Sequence, residues 1–465
     1  MLNGTTTAGD ADLAIVGFGF SGLATLMQLV RRATALTVAV VASDRSGLGL
    51  AYRTVDPLHL LNVQANRMGA WAHDPEHFAA WLLTPAAAAA CATLGVPAPG
   101  PVDFAPRALY AHYLSGLRED ALREAPQRAI TVRWIDARAD SIVPGRGGWS
   151  ITAGGSSLTA RRCVLATGND PQHVFGALGH PDLHAGPWSM SGGGLSHRDG
   201  PVVLIGSGLT AVDSVLTVRR LGFEGPIVAL SRNGRLPTAH RRGVAAPGLD
   251  AGAVAQVTTL ADILGLIGDR QAAGHDCRSA IDALRPHTQE LWQRLAAEDR
   301  ELAVARWGSI WNVHRHRMAP EVAGRIEAEL ASGRLAVIAT RRIAPEVVGE
   351  RLEIAFETAE GQTERLRAAA VIDCTGPQLD CARSDQPLLR ELVNSGICRR
   401  HHTGLGLAAD VDLQVAEGLY ALGSLLTGQL WETVAVPELR AQAAAVAAGV
   451  IAPGSARGPR APSSR

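Results

Sequence analysis

The segment VVLIGSGLTAVDSVLTV (residues 202–218) joins a short apolar run to a helix-like stretch through Gly206 and Gly208. A buried strand, a glycine turn and a helix with apolar periodicity are typical of the start of a dinucleotide-binding unit. The third glycine of the usual G-x-G-x-x-G pattern is Ala211 here, a replacement that this fingerprint permits. Such units usually open a chain, whereas this one begins near the middle.

The same pattern occurs near the start of the chain. LAIVGFGFSGLATLMQLVRRA (13–33) contains Gly17, Gly19 and Gly22 between an apolar strand and a helix, and LTVAVVAS (36–43) follows as a second strand. Glycines at this spacing allow a tight turn, close approach of the backbone to a pyrophosphate and close helix–strand packing. We therefore predict two dinucleotide-binding units in one chain.

Two further strands share an ending. SSLTARRCVLATGND (156–170) leads into Gly168, and LRAAAVIDCTGPQLD (366–380) repeats the Thr-Gly ending far downstream. GLYALGSLLTG (418–428) supplies another strand and turn with Gly423, and residues 431–452 are predicted to form a helix. We predict an α/β fold of two Rossmann-like domains, the second inserted into a discontinuous first one whose sheet is completed by C-terminal strands.

The ends of the second strands indicate which nucleotides the units bind. The first unit has Asp44 slightly later than the acid expected to contact ribose hydroxyls, and a solvated turn aspartate explains it equally well. The second unit has no acid there and ends in Arg232, which favours NADPH over NADH because an arginine pairs with a 2′-phosphate. A solvated strand-end arginine remains the alternative, since Arg235, Arg241 and Arg242 lie nearby.

Two dinucleotide units suggest that a hydride passes between two nucleotides, and FAD with NADPH is the commonest such pair. A helix after Pro437 could direct its N-terminus at the flavin pyrimidine, although a packing helix explains the same residues. The predicted parts are an FAD-binding domain in two pieces (1–195 and 366–451), an inserted NAD(P)H-binding domain (196–365) with a helical segment at roughly 251–335, and a disordered tail (452–465).

Composition excludes several other classes. The 44 basic residues are all arginines and the net charge is zero, so neither nucleic acid nor a membrane is an expected partner. The six cysteines form no C-x-x-C, and no pair of histidines has a compact metal-binding spacing, so we expect neither a redox dithiol nor a metal. The alanine-rich segment 79–96 favours a surface or packed helix over a membrane span, and without a signal peptide we expect a cytoplasmic protein.

The chain resembles a family of FAD/NAD(P)-binding proteins that are similar to class B flavin monooxygenases and amino-acid N-hydroxylases. The resemblance extends over nearly the whole chain and is carried by stretches that include AIVGFGFSGLA, GLGLAY (47–52), LLNVQANRMGAWAHDPEHFAAWL (60–82), PRALYAHYL (106–114), VLATGND, ALSRNGRLPTAH (229–240), HRHRMAP and LWETVAVPELRAQA (430–443). It implies FAD on the outer domain and NADPH on the inserted one.

The resemblance also suggests site residues. Asn62, Gln64, Asn66 and Met68 become candidate flavin neighbours, with Asn66 as a candidate catalytic residue. A loop whose polar groups bond to the backbone is the alternative. His240, shortly after the second nucleotide strand, could lie near a nicotinamide or substrate, or be a structural histidine. Gly168, Gly423 and Ser424 are further candidate cofactor-binding residues, although the chain departs from many flavoproteins because Ser424, not an acid, follows Gly423.

Three functions follow. The first is an NADPH-dependent monooxygenase that oxygenates a small amine, amino acid or related substrate with molecular oxygen, through a flavin peroxide. The second is a flavin dehydrogenase or reductase that passes electrons to a quinone or protein acceptor. The third is a regulator that keeps the fold without turnover, a possibility that Ser424 and the displaced Asp44 leave open.

Overall fold

A computed structural model describes residues 6–7, 10–170, 175–190, 195, 199–241 and 248–452. Its contacts divide the chain into two units. Unit 1 comprises the described parts of Met1–Pro57, Val63–Asp170 and Gln378–Arg465, and unit 2 those of Leu58–Asn62 and Pro171–Pro377. The tail predicted for 452–465 lies outside the described residues, apart from Ala452.

Unit 1 contains a sheet whose core strands are parallel. Its strands are β1 (Thr6–Thr7), β2 (Ala11–Val16), β3 (Leu36–Val41), β4 (Ile130–Ile135), β5 (Ala139–Gly145), β6 (Gly148–Ala153), β7 (Ser156–Leu165), β15 (Gln414–Ala416) and β16 (Leu419–Ala421). The order β4-β3-β2-β7-β16, all parallel, is the 3-2-1-4-5 order of a Rossmann sheet. The C-terminal strand β16 therefore completes the sheet that the N-terminal strands begin.

Unit 2 contains a second sheet whose first four parallel strands have the same order, while its fifth, β8, precedes them in the chain. Its strands are β8 (Leu183–His184), β9 (Val202–Ile205), β10 (Ile227–Ser231), β11 (Leu335–Val348), β12 (Arg351–Thr358), β13 (Thr363–Ala368) and β14 (Ala370–Asp373). The strands β11, β10, β9, β14 and β8 are parallel neighbours in that order, and β12 and β13 extend the β11 edge as antiparallel strands. Two Rossmann-like sheets in one chain confirm the predicted fold class.

Helices connect the strands and cover the sheets. Unit 1 contains α1 (Phe20–Arg32), α2 (Gly49–Tyr52), α3 (His77–Trp81), α4 (Pro85–Leu94), α5 (Arg107–Glu124), α14 (Pro387–Asn394), α15 (Thr427–Leu430) and α16 (Val436–Ile451). Unit 2 contains α6 (Leu209–Arg220), α7 (Ala251–Gln256), α8 (Leu260–Ala272), α9 (Cys277–Leu284), α10 (Thr288–Arg294), α11 (Ala297–Leu302), α12 (Gly308–Arg315) and α13 (Pro320–Ala331). Helices α7 to α13 of unit 2 lie between residues 251 and 331.

The unit boundaries differ from the predicted positions. They fall after Asp170 and after Pro377 instead of after residues 195 and 365. The reason is that β14 pairs with β9 and supplies the fourth parallel strand of the second sheet. The two strands with Thr-Gly endings therefore occupy the same place in two different sheets, and the short segment Leu58–Asn62 also belongs to unit 2.

Candidate cofactor sites at the two glycine turns

The first glycine turn lies where the strand order of the unit 1 sheet reverses. Gly17 has φ +93°, its N–H donates to the Val41 carbonyl at 2.9 Å, and a Cβ added there would lie 2.4 Å from the Ala166 carbonyl oxygen. A Cβ on Gly22 would lie 2.3 Å from the Gly17 carbonyl oxygen. Both positions therefore require glycine, and ligands of open α/β sheets bind at such a reversal point.

The N-terminus of α1 faces this turn. Gly19 precedes the helix in an extended conformation, the first helical turn contains no acid, and Arg31 and Arg32 lie in the last turn. The macrodipole and the unbonded N–H groups of such a helix start favour an anion. Space above Gly19 is narrow, because a Cβ there would lie 3.3 Å from the Cα atom of Gly49.

The second glycine turn has the same construction. Gly206 has φ +113°, its N–H donates to the Leu230 carbonyl at 2.8 Å, and an added Cβ would lie 2.3 Å from the Cys374 carbonyl oxygen. A Cβ on Gly208, by contrast, would have no described heavy atom within 4 Å. Ala211 replaces the third glycine and is buried without needing the closest approach. This turn is open above its second glycine.

The two Thr-Gly endings differ in one hydrogen bond. In unit 2 the Thr375 hydroxyl donates to Asp373 Oδ1 at 2.6 Å. The corresponding position in unit 1 is Leu165, since Leu165 pairs with the last residue of β2 as Asp373 pairs with the last residue of β9. The Thr167 hydroxyl is therefore buried with no partner among the described residues, beside the first glycine turn.

The strand-end residues proposed to read the ribose lie at the predicted places. Asp44 forms a turn in which its carboxylate accepts from the Ser46 N–H at 2.8 Å and the Ser46 hydroxyl at 2.9 Å. Its carboxylate is therefore partly engaged in local structure. Arg232 is exposed at the end of β10, and among the described residues no carboxylate lies within 4 Å of its guanidinium. The ribose roles of both residues stay predictions.

The loop after residue 62 contains a buried acceptor. Asn66 Oδ1 is buried with no hydrogen-bond partner among the described residues, while the Asn66 N–H donates to the Pro101 carbonyl at 2.7 Å. Gln64 differs, because its amide donates to the Val102 carbonyl at 3.0 Å. An unsatisfied buried amide oxygen costs about 1–3 kcal/mol, so Asn66 is suited to a ligand that donates a hydrogen bond.

Buried side chains from two helices fix this loop. Arg440 of α16 donates through Nη1 to the carbonyl oxygens of Arg67, at 3.1 Å, and Gly69, at 2.6 Å. Tyr110 of α5 donates to the carbonyl of Met68 at 2.8 Å, and the Met68 side chain is buried. Burial lowers the pKa of the Arg440 guanidinium. Three consecutive carbonyls next to Asn66 are thus held in place.

Gly423 lies just after β16, at the carboxyl end of the unit 1 sheet. Gly423 has φ +70° and its N–H donates to Gln442 at 2.9 Å. The Ser424 hydroxyl donates to the Gly168 carbonyl at 2.9 Å, so these two predicted cofactor residues contact each other. Their hydrogen bond joins the ends of β7 and β16. The first turn of α16 contains Glu438, which weakens the positive potential proposed for that helix start.

His240 and Asn62 meet within unit 2. His240 Nε2 lies 3.0 Å from the Asn62 carbonyl oxygen and donates to it. Burial, opposed by this hydrogen bond, lowers the pKa of His240 to about 4, so the imidazole is neutral at pH 7. Asn62 was predicted beside Asn66 at the flavin, yet the contact division places it in the other unit. The hydrogen bond gives His240 a structural role in addition to its proposed catalytic one.

Sequence reasoning missed Thr167 and Arg440. The sequence contained a signal for Thr167. The residue two positions before the threonine is Asp373 in the second Thr-Gly ending but Leu165 in the first, so only Thr375 has a carboxylate nearby in sequence. Arg440 carried no such signal, since its contacts with residues 67–69 are far apart in sequence.

The comparisons with known proteins agree with this architecture. Residues 14–170 match a family model described as FAD-NAD(P)-binding. No curated protein sequence matches the chain. Among the described residues, no helix is long and apolar enough to cross a membrane, and no group of three acidic, histidine or cysteine side chains is placed to hold a metal.

Solved structures with the same fold cover nearly the whole chain. One is the ornithine N-hydroxylase of Kutzneria sp. 744 with reduced FAD, NADP+ and L-ornithine: 13% identity, TM-score 0.57, covering 95% of this chain and 99% of that one. Another is the L-lysine 6-monooxygenase of Pseudomonas syringae, at 17% identity, TM-score 0.57 and coverage of 95% and 99%. A third is the bacillithiol disulfide reductase of Bacillus cereus, which is 13% identical with a TM-score of 0.54. The match covers 95% of this chain and 99% of that one.

Proposed function

We propose that the protein is an NADPH-dependent flavoprotein monooxygenase that oxygenates a small amine, amino acid or related substrate. The observation that carries the proposal is the buried, unpartnered Asn66 oxygen in the unit whose glycine turn belongs to an FAD-NAD(P)-binding domain. Similarity to two amino-acid hydroxylases over 95% of the chain supports it.

FAD fits the polar groups that unit 1 leaves unsatisfied. The start of α1 beyond Gly19 would receive the pyrophosphate, and the Thr167 hydroxyl would bond to the same ligand. Asn66 would accept a hydrogen bond from the ligand on a loop that Arg440 and Tyr110 hold in place. When bound and reduced by NADPH, FAD supplies the oxygen-activating chemistry. The protein contributes a positioned acceptor, Asn66 Oδ1.

NADPH fits unit 2. The open space above Gly208 allows a pyrophosphate to approach the start of α6, which has no acid in its first turn. Arg232, exposed at the end of the second strand, would pair with the 2′-phosphate. We also propose the cytoplasm as its location and oxygen as its co-substrate.

A reductase is the second candidate, supported by the similarity to the bacillithiol disulfide reductase. A dithiol route has little support in this chain, because the six cysteines are unpaired and five are buried. Burial raises the pKa of the Cys374 thiol to about 12, which keeps the reactive thiolate scarce. A reductase built on this chain would therefore pass electrons to an external acceptor such as a quinone or protein.

Stopped-flow spectroscopy separates these functions. The purified yellow protein is mixed anaerobically with NADPH and then with oxygenated buffer, in the presence of ornithine or lysine as trial substrates. We expect bleaching, followed by a transient absorbance band that belongs to neither the oxidised nor the reduced flavin. Bleaching and reoxidation without such a band would favour the reductase, and failure to bind or reduce flavin would favour the regulator.

A further inference from the structure

A group of arginines in unit 2 has no part in the proposed chemistry. Arg241 Nη1 and Arg278 Nη2 lie 3.1 Å and 3.5 Å from the same carboxylate oxygen, Oδ2 of Asp276. Arg317 lies 2.7 Å from Asp282 Oδ2 and donates to the backbone carbonyl of Arg278 at 3.1 Å. We call the following four residues the cationic cluster: Arg235, Arg241, Arg278 and Arg317.

The cluster reaches the second glycine turn. The Ser207 hydroxyl, inside that turn, donates to the Arg235 carbonyl at 2.6 Å. His314 is within the electrostatic influence of Arg235, Arg278 and Arg317, and burial together with these three charges lowers its pKa. Arg235 is thus hydrogen-bonded to the nucleotide turn through its backbone carbonyl.

Two of the cations are largely removed from water. The Arg317 side chain is 4% exposed and that of Arg278 is 18% exposed, whereas Arg241 is 61% exposed. Arg278 Nε is buried and has no hydrogen-bond partner among the described residues. Desolvation of a cation costs several kcal/mol unless an anion pairs with it.

The cluster has more cations than anions. Its four guanidinium groups face two carboxylates, those of Asp276 and Asp282, and among the described residues no carboxylate lies within 4 Å of the Arg235 guanidinium. The undescribed residues contain no Asp or Glu side chain. An external oxyanion would relieve this imbalance among the described residues.

We propose that the cationic cluster binds an oxyanion, the phosphate or carboxylate group of a small ligand. Guanidinium groups match both in hydrogen-bond geometry, and the exposed Arg241 beside the buried Arg278 gives the ligand access from solvent. The ligand group is either the 2′-phosphate of the nicotinamide cofactor or the anionic group of another small molecule. The proposal does not depend on flavin chemistry.

Inorganic phosphate is the probe for this site. Isothermal titration at fixed ionic strength compares the wild-type protein, Arg241→Gln, Arg235→Gln and the control Arg325→Gln, which removes an exposed arginine from α13 of the same unit. We expect Arg241→Gln to weaken phosphate binding about tenfold, the worth of one charge-assisted hydrogen bond. The control should bind as the wild type does. Circular dichroism verifies that each variant is folded.

Absence of phosphate binding by the folded wild-type protein would overturn the proposal, as would equal affinities in all four proteins. Competition then identifies the source of the oxyanion. Displacement of phosphate by NADP+ but not by NAD+ would assign the site to the 2′-phosphate, whereas simultaneous binding of phosphate and NADP+ would assign it to a different ligand. None of these titrations requires flavin reduction, so they remain decisive if the monooxygenase assay fails.

Discussion

The two glycine turns of this protein have the same backbone. Gly17 and Gly206 both adopt a positive φ, and both donate to the last or next-to-last residue of the neighbouring strand. Each lies against the carbonyl that precedes a Thr-Gly ending, at the reversal point of its sheet. Both turns follow the first strand of a sheet with the parallel order 3-2-1-4, so their surroundings can be compared directly.

The surroundings of the turns differ. In the first turn, Gly22 of α1 packs against the Gly17 carbonyl, and Gly49 lies close to Gly19. In the second turn, Ala211 takes the place of the third glycine, and the space above Gly208 is open. We infer that the narrow first turn suits a cofactor that stays bound, and the open second turn a nucleotide that exchanges. This is the division of labour expected of FAD and NADPH.

The largest effect is expected from substitutions at the third position of each glycine motif, Gly22 in the first and Ala211 in the second. Gly22→Ala would place a Cβ about 2.3 Å from the Gly17 carbonyl oxygen, so α1 must shift. We expect a loss of roughly 2–4 kcal/mol in the free energy of unfolding and loss of bound FAD. The matched variant Ala211→Gly should cost about 1 kcal/mol, the helix propensity difference, and leave FAD content unchanged.

Urea unfolding and the flavin absorbance of the purified proteins measure both quantities. If Gly22→Ala keeps its FAD and loses no more stability than Ala211→Gly, the first turn is not the closed cradle inferred here.

A smaller effect is expected at the end of the second strand of unit 2. Arg232→Ala should weaken NADPH binding by roughly 1.5–3 kcal/mol, the worth of a charge-assisted hydrogen bond, and leave NADH affinity nearly unchanged. Fluorescence titration with both nucleotides measures the change, with Arg325→Ala as the control for general charge loss. Equal losses for NADPH and NADH would show that Arg232 does not recognise the 2′-phosphate.

The elements around both turns could be predicted from the sequence because they depend on local pattern. Apolar runs followed by glycines at fixed spacing gave β2, α1, β9 and α6 within a few residues. The boundaries of the inserted unit could not be obtained in this way. Strand β14 has the same local pattern as β7, and only long-range pairing decides which sheet takes it.

The candidate site residues show the same limit. A sequence indicates that Asn66 and Ser424 are polar, but the difference between them is three-dimensional. Asn66 Oδ1 has no described partner, whereas the Ser424 hydroxyl bonds to Gly168 across 256 positions of sequence. Whether a polar group is left unpaired for a ligand or hydrogen-bonds to a second strand depends on neighbours that are distant in sequence.

A pH series tests whether the imidazole of His240 is buried and neutral in the folded protein. The pKa of His240 is lowered to about 4, so its contribution to stability is present above its unfolded pKa and is lost as the pH falls through about 6.5 toward 4. We expect this residue to account for about 1 kcal/mol of lost unfolding free energy between pH 7.5 and 5.5. His240→Gln, which keeps a donor for Asn62, should lack that part of the pH dependence.

The smallest effect is expected from substituting the threonines of the two Thr-Gly endings. The pair distinguishes an effect on FAD binding from an effect on the stability of the fold. Thr167→Val removes a hydroxyl that has no described partner, so the protein without FAD should lose no hydrogen bond and keep its stability. If FAD supplies the missing partner, its Kd should rise by roughly fivefold, about 1 kcal/mol. Thr375→Val removes the bond to Asp373 and should destabilise unit 2 by a similar amount without changing FAD affinity. Each variant should therefore change one of the two assays and leave the other unchanged: Thr167→Val the flavin titration, and Thr375→Val the urea unfolding of the protein stripped of FAD. Unchanged FAD affinity in Thr167→Val would mean that a group other than the flavin nucleotide satisfies this hydroxyl.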